Sequence, residues 1–329
     1  MAMHPEHALR MQADLLSELR SSDWAVYAEN FAVSMFTKND PELSPTYEET
    51  GEWSGEAHNK YKGQGRHLLS SMSETLSRAE TFVVDKRMNP LIRMAAADWP
   101  DEMVFEPHMV PSESGFLVFE QPWEMTDIHE RTLSTKAIVW RVAGGRVAIW
   151  QFNSWAEPDW YTERARRNLD PDALRRIISM GDLGLHHMTF LPFGKTLADF
   201  ARSGWTTHQR DSATEPARAI AATWALMQQT IVSVDAHRMT PKRQQGWKKK
   251  KIPGKVSVIT LRHRSQPKEF GEQTERVYEY RWVVRGHWRH QPYGTRANPE
   301  YKWIYIHPHL KGPEDAPLKE TKKVNVLRR

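Results

Sequence analysis

The sequence predicts an α+β fold: a Trp-rich central sheet with helices, followed by a C-terminal helix and a four-stranded antiparallel sheet. Three observations carry this prediction. Apolar residues recur at helical spacing before Pro100 and again after Thr214; two strand-like apolar runs flank Gly144-Gly145; and several short strand-like runs follow the last helical stripe.

Leu9, Ala13, Leu16 and Arg20 follow i, i+4, i+7, i+11 spacing, and Leu15 and Leu19 widen the stripe, so Pro5 to about Arg20 reads as an amphipathic helix. Asp23 reads as the N-cap of a second helical run holding Trp24, Tyr27, Phe31 and Phe36. Asn39 to Gly65 is polar, with Pro and Gly, and reads as loop; His67 to Arg78 reads as helix. Met88 to Ala97 reads as a helix that places Pro90 in its first turn and is stopped by Pro100.

Gly115 to Gln121 and the two runs within Thr135 to Phe152 are rich in apolar and aromatic residues and read as strands. A two-residue turn at Gly144-Gly145 sets Val142 against Val147, Trp140 against Ile149 and Ile138 against Gln151, with Val139 facing Trp150 and Ala137 facing Phe152 on the other side. Both faces are apolar, so these strands are expected to be central and covered on both sides, with their tryptophans in the core.

Trp160 to Asn168 and Asp172 to Ser179 read as helices, and a Gly-containing stretch runs on to Gly204. Thr214 and Glu215 precede Pro216 at a first helical position, and Ile220, Trp224, Met227, Ile231 and Val234 keep helical spacing. The sheet expected to cover this stripe comprises Val256 to Leu261, Val277 to Arg285, Tyr301 to His307 and Val324 to Leu327, with Met239 to Pro253 as a basic connection. The expected division is an acidic α+β domain over residues 1–205 and a basic helix-plus-sheet unit over 212–329.

The 329 residues are 39% apolar and 26% charged, a balance that supports a sizeable core and excludes a disordered tail. With no cysteine, disulfide scaffolds, thiolate catalysis, iron–sulfur clusters and cysteine-based zinc modules are excluded. No cofactor is expected, because GxGxxG after a strand, GxxxxGK[ST], HExxH and GxSxG are all missing. The formal charge of +5 divides unevenly. Up to Asp235 there are 23 Lys and Arg against 33 Asp and Glu, a balance of −10; beyond it 23 stand against 8, a balance of +15. Such a basic block points to a polyanionic partner or to an acidic surface in the same protein. Met1 to Arg20 lacks the apolar core of a signal peptide, and no stretch approaches about 18 uninterrupted apolar residues, so a cytoplasmic location without a membrane partner is expected.

Between Ala236 and Lys268 eleven Lys and Arg occur without an acid. Lys242, Arg243, Lys248, Lys249, Lys250, Lys251, Arg262 and Arg264 can track a phosphate backbone by releasing counterions, and Trp247 among them can stack on an unpaired base; the alternative is a solvated linker. In Val277 to Arg285, Tyr278, Tyr280, Trp282 and Val284 fall on one side and Arg281 and Arg285 on the other. In the facing strand Lys302, Ile304 and Ile306 alternate with Tyr301, Trp303 and Tyr305. Its aromatics weigh towards core over stacking platform, while the arginines and Lys302 are candidate nucleic-acid contacts.

The densest polar cluster follows. Arg285, His287, Arg289, His290 and Tyr293 lie within VRGHWRHQPYG, and His307, His309 and Lys311 within IHPHLKGPEDAPL. Simple hairpin geometry sets His307 and His309 far from His287. The cluster suits binding of phosphates and bases, or metal-free RNA cleavage by His287 or His290 with Arg289, Tyr293 or Lys311, a histidine activating the 2′-OH and a cation stabilising the charged transition state. Imidazole ligation of a metal by His287 with His290, or His307 with His309, is a third reading, and no metal site is assigned. His186-His187 reads as structural hydrogen bonding. The counterpart is a belt from Asp98 to Glu130 with nine acids and no Lys or Arg. It reads as a solvated face, or as a surface for an acidic-protein type of contact: self-association or docking on the basic unit in competition with nucleic acid.

PSESGFLVFEQPW, RWVVRGHWRHQPYG and WIYIHPHLKGPEDAPL, with LMQQ at Leu226 to Gln229, resemble sequences of a family of uncharacterised proteins from actinobacteria, their phages and plasmids, over most of the chain from about Pro111. The VRGHWRHQPYG and WIxxHPHLKGPEDAPL boxes are the distinctive ones. The resemblance implies a host group and no catalytic residue. The order of C-terminal elements is also similar in outline to small metal-free ribonuclease toxins of the RelE and barnase type. The leading expectation is a regulatory, mobile-element-associated nucleic-acid-binding protein acting through its C-terminal unit. The alternatives are a metal-free ribonuclease in that unit and a module that binds an acidic host protein.

Overall fold

The computed structural model describes residues 3–38, 55–61, 63–126, 132–156, 170–200, 207–262, 280–295, 298–311 and 317. Helix α1, Pro5–Glu18, forms where expected, with Pro5 at its first position and His4 accepting from the Glu6 N–H. Helix α2, Ser22–Lys38, is capped by Ser21, whose hydroxyl accepts from the Trp24 N–H, and not by Asp23 as the sequence suggested. The Asp23 carboxylate is instead held by Arg176 at 2.8 Å, which also lowers its pKa. The expected loop contains a short helix α3, Gly55–Tyr61; helices α4, Gln64–Arg78, and α5, Asn89–Ala97, flank a strand β1, Glu80–Val84.

β1 is an interior strand of the sheet, and the apolar run Phe82-Val83-Val84 is its sequence signal: the run is buried and divides between two cores. After the short strand β2, Val104–Phe105, come β3, Ser114–Thr126, β4, Thr132–Ala143, and β5, Arg146–Ser154. The β4–β5 hairpin has the register that its apolar faces demanded: Val142 opposes Val147, Trp140 opposes Ile149 and Ala137 opposes Phe152. Gly144 and Gly145 turn it with φ of 58° and 72°, a backbone region that residues with a Cβ rarely enter.

Helix α6, Pro171–Met180, is capped by Asp170 and leads into strand β6, Leu183–Pro192, within the stretch that the sequence marked only as Gly-containing. The short β7, Lys195–Thr196, pairs with β2. Helix α7 runs Thr207–Met227, so Pro216 lies inside it and does not begin it. Ile220 and Trp224 are buried as their spacing required, but the helix stops at Met227 and the expected stripe does not continue: Ile231 lies in a turn and Val234 is exposed on strand β8, Val232–Ala236. The basic connection forms helix α8, Pro241–Lys249, before β9, Val256–Leu261.

One mixed sheet of seven strands, in the order β6-β5-β4-β3-β1-β9-β8, organises these elements. β1 pairs in parallel with both β3 and β9, and the remaining neighbours are antiparallel. Its two faces carry separate cores. Phe82, Leu117, Trp140, Ile149 and Ile259 pack with α5 and α7, whereas Val83, Phe116, Val139, Phe152 and Val256 pack with α1, α2, α4 and α6. Trp140 and Trp150 fall on opposite faces of the hairpin and both are buried, as expected.

The expected C-terminal four-stranded sheet is not present among the described residues. Val256–Leu261 joins the main sheet beside β1. Strand β10, Trp282–Val284, precedes β11, His287–Thr295, and β12, Asn298–Ile306, with β13, His309–Lys311, completing two ribbons: β11 with β12, and β10 with β13. β11 is hidden in the sequence because Pro292 and Gly294 interrupt it; a two-stranded ribbon tolerates both where a central strand would not. The runs expected at Trp160 to Asn168 and Val324 to Leu327 lie outside the described residues. Among the described residues, no helix is long and apolar enough to cross a membrane.

Candidate functional site

The β11–β12 ribbon stands on the α5/α7 side of the sheet. Pairing sets His287 opposite Ile306, Trp288 opposite Tyr305, His290 opposite Trp303, Pro292 opposite Tyr301 and Tyr293 opposite Glu300. Alternation then puts Trp288, His290, Tyr301, Trp303 and Tyr305 on one face. Their exposure rises along it: Tyr305 is 3% exposed, Trp288 7% and Tyr301 54%. The rings form two groups: at the root Trp99 meets Trp288 at 5.4 Å and Trp288 meets Tyr305 at 5.2 Å, and further out His290 is stacked on Trp303 at 4.7 Å and tilted to Tyr301 at 4.9 Å. The aromatics expected as core are therefore core only at the root of the ribbon.

Between the ribbon and the body lies a cleft of about 1970 Å³. Trp288, His290, Tyr293, Tyr301, Lys302 and Trp303 line it from the ribbon, with His307, His309 and Lys311 beyond. Glu102, Glu106 and His108 line it from the segment after α5, and Gln228, Ile231, Leu261 and Arg262 from the end of α7 and the β9 edge. Among the described residues, Arg262, Lys302 and Lys311 form no ion pair with a carboxylate. Lys302 lies over the Tyr293 ring at 5.0 Å, and the Tyr293 hydroxyl is hydrogen-bonded to Glu300, which raises its pKa.

The two ribbons cross at Gly286, where a Cβ would come within 2.4 Å of the Tyr305 hydroxyl. Val284 pairs with His309 just before His287 pairs with Ile306, so His287, His307 and His309 gather at this crossing. The expectation that hairpin geometry separates them is overturned, because the ribbon begins at His287 and not beyond it. Each ring directs Nδ1 at a backbone carbonyl: His287 at Arg285 (3.1 Å), His307 at Pro308 (2.6 Å) and His309 at His307 (2.9 Å). A carbonyl only accepts, so Nδ1 carries the proton in each neutral ring and Nε2 keeps its lone pair. Among the described residues, no three His, Asp or Glu side chains converge as a metal site.

The other candidate residues divide. Arg289 is exposed on the opposite face of the ribbon from the aromatic series. Arg285 donates to Asp98 at 2.6 Å, and the Arg281 N–H donates to the Pro317 carbonyl at 2.9 Å. Burial, with the Asp98 charge adding to it, pushes the Tyr305 phenol up to about 12, against the opposing effect of Arg285. Lys242, Arg243, Trp247 and Lys248–Lys251 belong to α8 and its C-terminal turn, where Arg243 pairs with Glu6 of α1 at 2.9 Å. Trp247 is half-buried against the α1/α4 core with Lys250 over its ring at 5.0 Å. α8 and the ribbon thus lie on opposite faces of the sheet. Arg264 lies outside the described residues.

Of the acidic belt, Asp98 binds Arg285, Asp101 lies 3.6 Å from Arg218, and Glu120 accepts from the Met3 and Lys86 N–H groups. Asp127 and Glu130 lie outside the described residues. Glu102 and Glu106, which the sequence offered only as surface acids, reach the cleft. His186 is buried and hydrogen-bonded to the Thr135 hydroxyl at 3.3 Å, the structural role its position suggested. Compared with known proteins, the chain matches no family model and no curated sequence.

Proposed function

We propose that this protein binds nucleic acid through the cleft beside the C-terminal ribbon. The observation that carries this reading is the grouping of Arg262, Lys302 and Lys311, none of them neutralised by a described carboxylate, around exposed aromatic rings. Cations supply sequence-independent attraction to phosphates, and aromatics supply contact with bases. A regulatory, cytoplasmic and mobile-element-associated role belongs to the same reading, supported by the resemblance of the two C-terminal boxes to actinobacterial, phage and plasmid proteins. Gel shifts of the full chain with RNA and DNA across a salt series test it. Affinity is expected to fall steeply with salt, by about 0.7 to 0.9 in log K per log salt for each phosphate neutralised. A flat dependence overturns the proposal.

A second reading is favoured by the histidine crossing. His307 and His309 line the cleft with Lys311, and the Nδ1 contacts of His287, His307 and His309 leave each Nε2 free to accept a proton, the pairing of base and cation that metal-free RNA cleavage requires. Labelled RNA incubated in chelator separates cutter from binder: chain scission lost in His287→Ala or His309→Ala supports the nuclease, and intact RNA removes it.

A further inference from the structure

We infer that the cleft takes a single-stranded polynucleotide, with unpaired bases stacked on the outer rings of the His290 stack, Tyr301 and Trp303, and the phosphates turned outwards along Arg262 and Lys311. The inference rests on the nucleic-acid reading above and names the form of nucleic acid that it admits. The first argument is the availability of π-faces. His290, Trp303 and Tyr301 make one stack on a single ribbon face, and its outer member, Tyr301, is more than half exposed. Stacking on such rings requires a base whose own faces are free, which a base inside a duplex does not offer.

The second argument is charge. Opposite the ribbon the cleft wall carries Glu102 and Glu106, which repel phosphate. Carboxylates do, however, accept from exocyclic amino groups on base edges. A duplex would bring two phosphate backbones to the mouth of the cleft and would have its base edges already paired. A single strand satisfies both walls at once: bases inward against rings and carboxylates, backbone outward against cations. The cations of α8, on the far face of the sheet, are not needed for this arrangement.

Fluorescence anisotropy with the full chain and a labelled mixed-sequence oligonucleotide, as single-stranded DNA, single-stranded RNA and blunt DNA duplex, tests the inference. Both single strands are expected to bind more tightly than the duplex. Tyr301→Ala, chosen because its ring is exposed and its loss leaves the ribbon root intact, should weaken single-strand binding by about tenfold, and Trp303→Ala by at least as much, while Trp303→Phe retains most of it. An oligonucleotide with a photoreactive uracil should crosslink within residues 287–306. Binding of the duplex as tight as that of the single strands overturns the inference, as does full single-strand affinity in a folded Tyr301→Ala, Trp303→Ala double variant. A crosslink confined to 241–251 also overturns it while leaving nucleic-acid binding in place. If none of the three probes binds at low salt, the underlying functional reading fails instead.

Discussion

Trp288 donates its indole N–H to the Ala95 carbonyl at 2.8 Å, and this bond hangs the C-terminal ribbon on α5. Ala95 lies in the last turn of that helix, where carbonyls lose their intrahelical partners. Its neighbours Met94 and Ala96 accept from the Asp98 and Trp99 N–H groups, so the indole serves the acceptor between them. Trp288→Phe keeps the apolar contact with Trp99 but leaves a buried acceptor unmet, at a cost of about 1–3 kcal/mol. That cost should fall on the ribbon. Hydrogen exchange at residues 287–306 is expected to accelerate with β3–β5 unchanged; uniform acceleration across the sheet would show that ribbon and body unfold together.

Among the described residues, the Asp98–Arg285 ion pair joins the acidic belt to the basic cluster, and the Arg285 side chain is 75% exposed. Exposed pairs contribute at most about 1 kcal/mol, so Asp98→Asn is expected to leave the melting temperature almost unchanged. Its effect should appear in binding. Freed from Asp98, Arg285 becomes available to phosphate, and single-strand affinity should rise several-fold at low salt and converge with the parent at high salt. The same variant should lower the titration midpoint of Tyr305, while burial still holds it above an ordinary phenol. An unchanged affinity would mean that the belt does not compete for the cleft.

Local periodicity made the helices and the β4–β5 hairpin legible, because a stripe at 3.6 or an alternation at 2.0 is written into neighbouring residues. What periodicity cannot encode is which distant strand is chosen as partner. β9 lies in parallel beside β1, and this pairing carries α8 and the ribbon to opposite faces of the sheet. Residues that form one basic block in the sequence therefore form two separate surfaces. The site residues themselves were visible as His, Arg, Lys and Tyr in two short boxes, but their grouping depended on a strand masked by Pro292 and Gly294. Once β11 is recognised, the pairing of His290 with Trp303 follows from counting back from the Thr295–Asn298 pair.

Glu18 is expected to make folding weaken as the pH rises. It is 1% exposed, accepts from the Trp24 indole N–H at 3.0 Å, and lies so close to Gly181 that a Cβ there would come within 1.8 Å of its Oε1. Burial pushes its pKa from 4.5 up to about 8; Asp14 and Asp182 add to the rise and Trp24 opposes it. Below 4.5 the group is protonated folded and unfolded, and its contribution to stability is fully present. Between there and about 8 the unfolded chain releases a proton that the folded chain retains, so stability falls by up to about 1.4 kcal/mol per pH unit from this group. Urea midpoints should drop from about pH 5 to about pH 8, and Glu18→Gln, a neutral acceptor of similar shape, should flatten that slope. A slope that survives the substitution would place the titrating group elsewhere.

Trp140 fixes the α5/α7 core, and Gly115 makes room for it. The indole stacks near Phe82 at 5.7 Å and Trp224 at 5.2 Å and donates to the Ser112 carbonyl at 2.9 Å, so its ring cannot swing away without breaking that bond. Gly115 is its register partner on β3, and a Cβ there would lie 2.0 Å from Trp140 Cζ2. The restriction is steric, since Gly115 does not have a positive φ. Gly115→Ala should therefore destabilise by about 3 kcal/mol, the upper end for overpacking a core. Trp140→Phe removes the clashing edge of the indole but leaves a cavity, at about 1–3 kcal/mol on its own. In the double variant the added methyl occupies part of that cavity, so the two losses should fall short of additive by about 1 kcal/mol or more in denaturant unfolding. Strict additivity would mean that β3 shifts away from β4 to admit the methyl, and that the sheet, not the indole, yields.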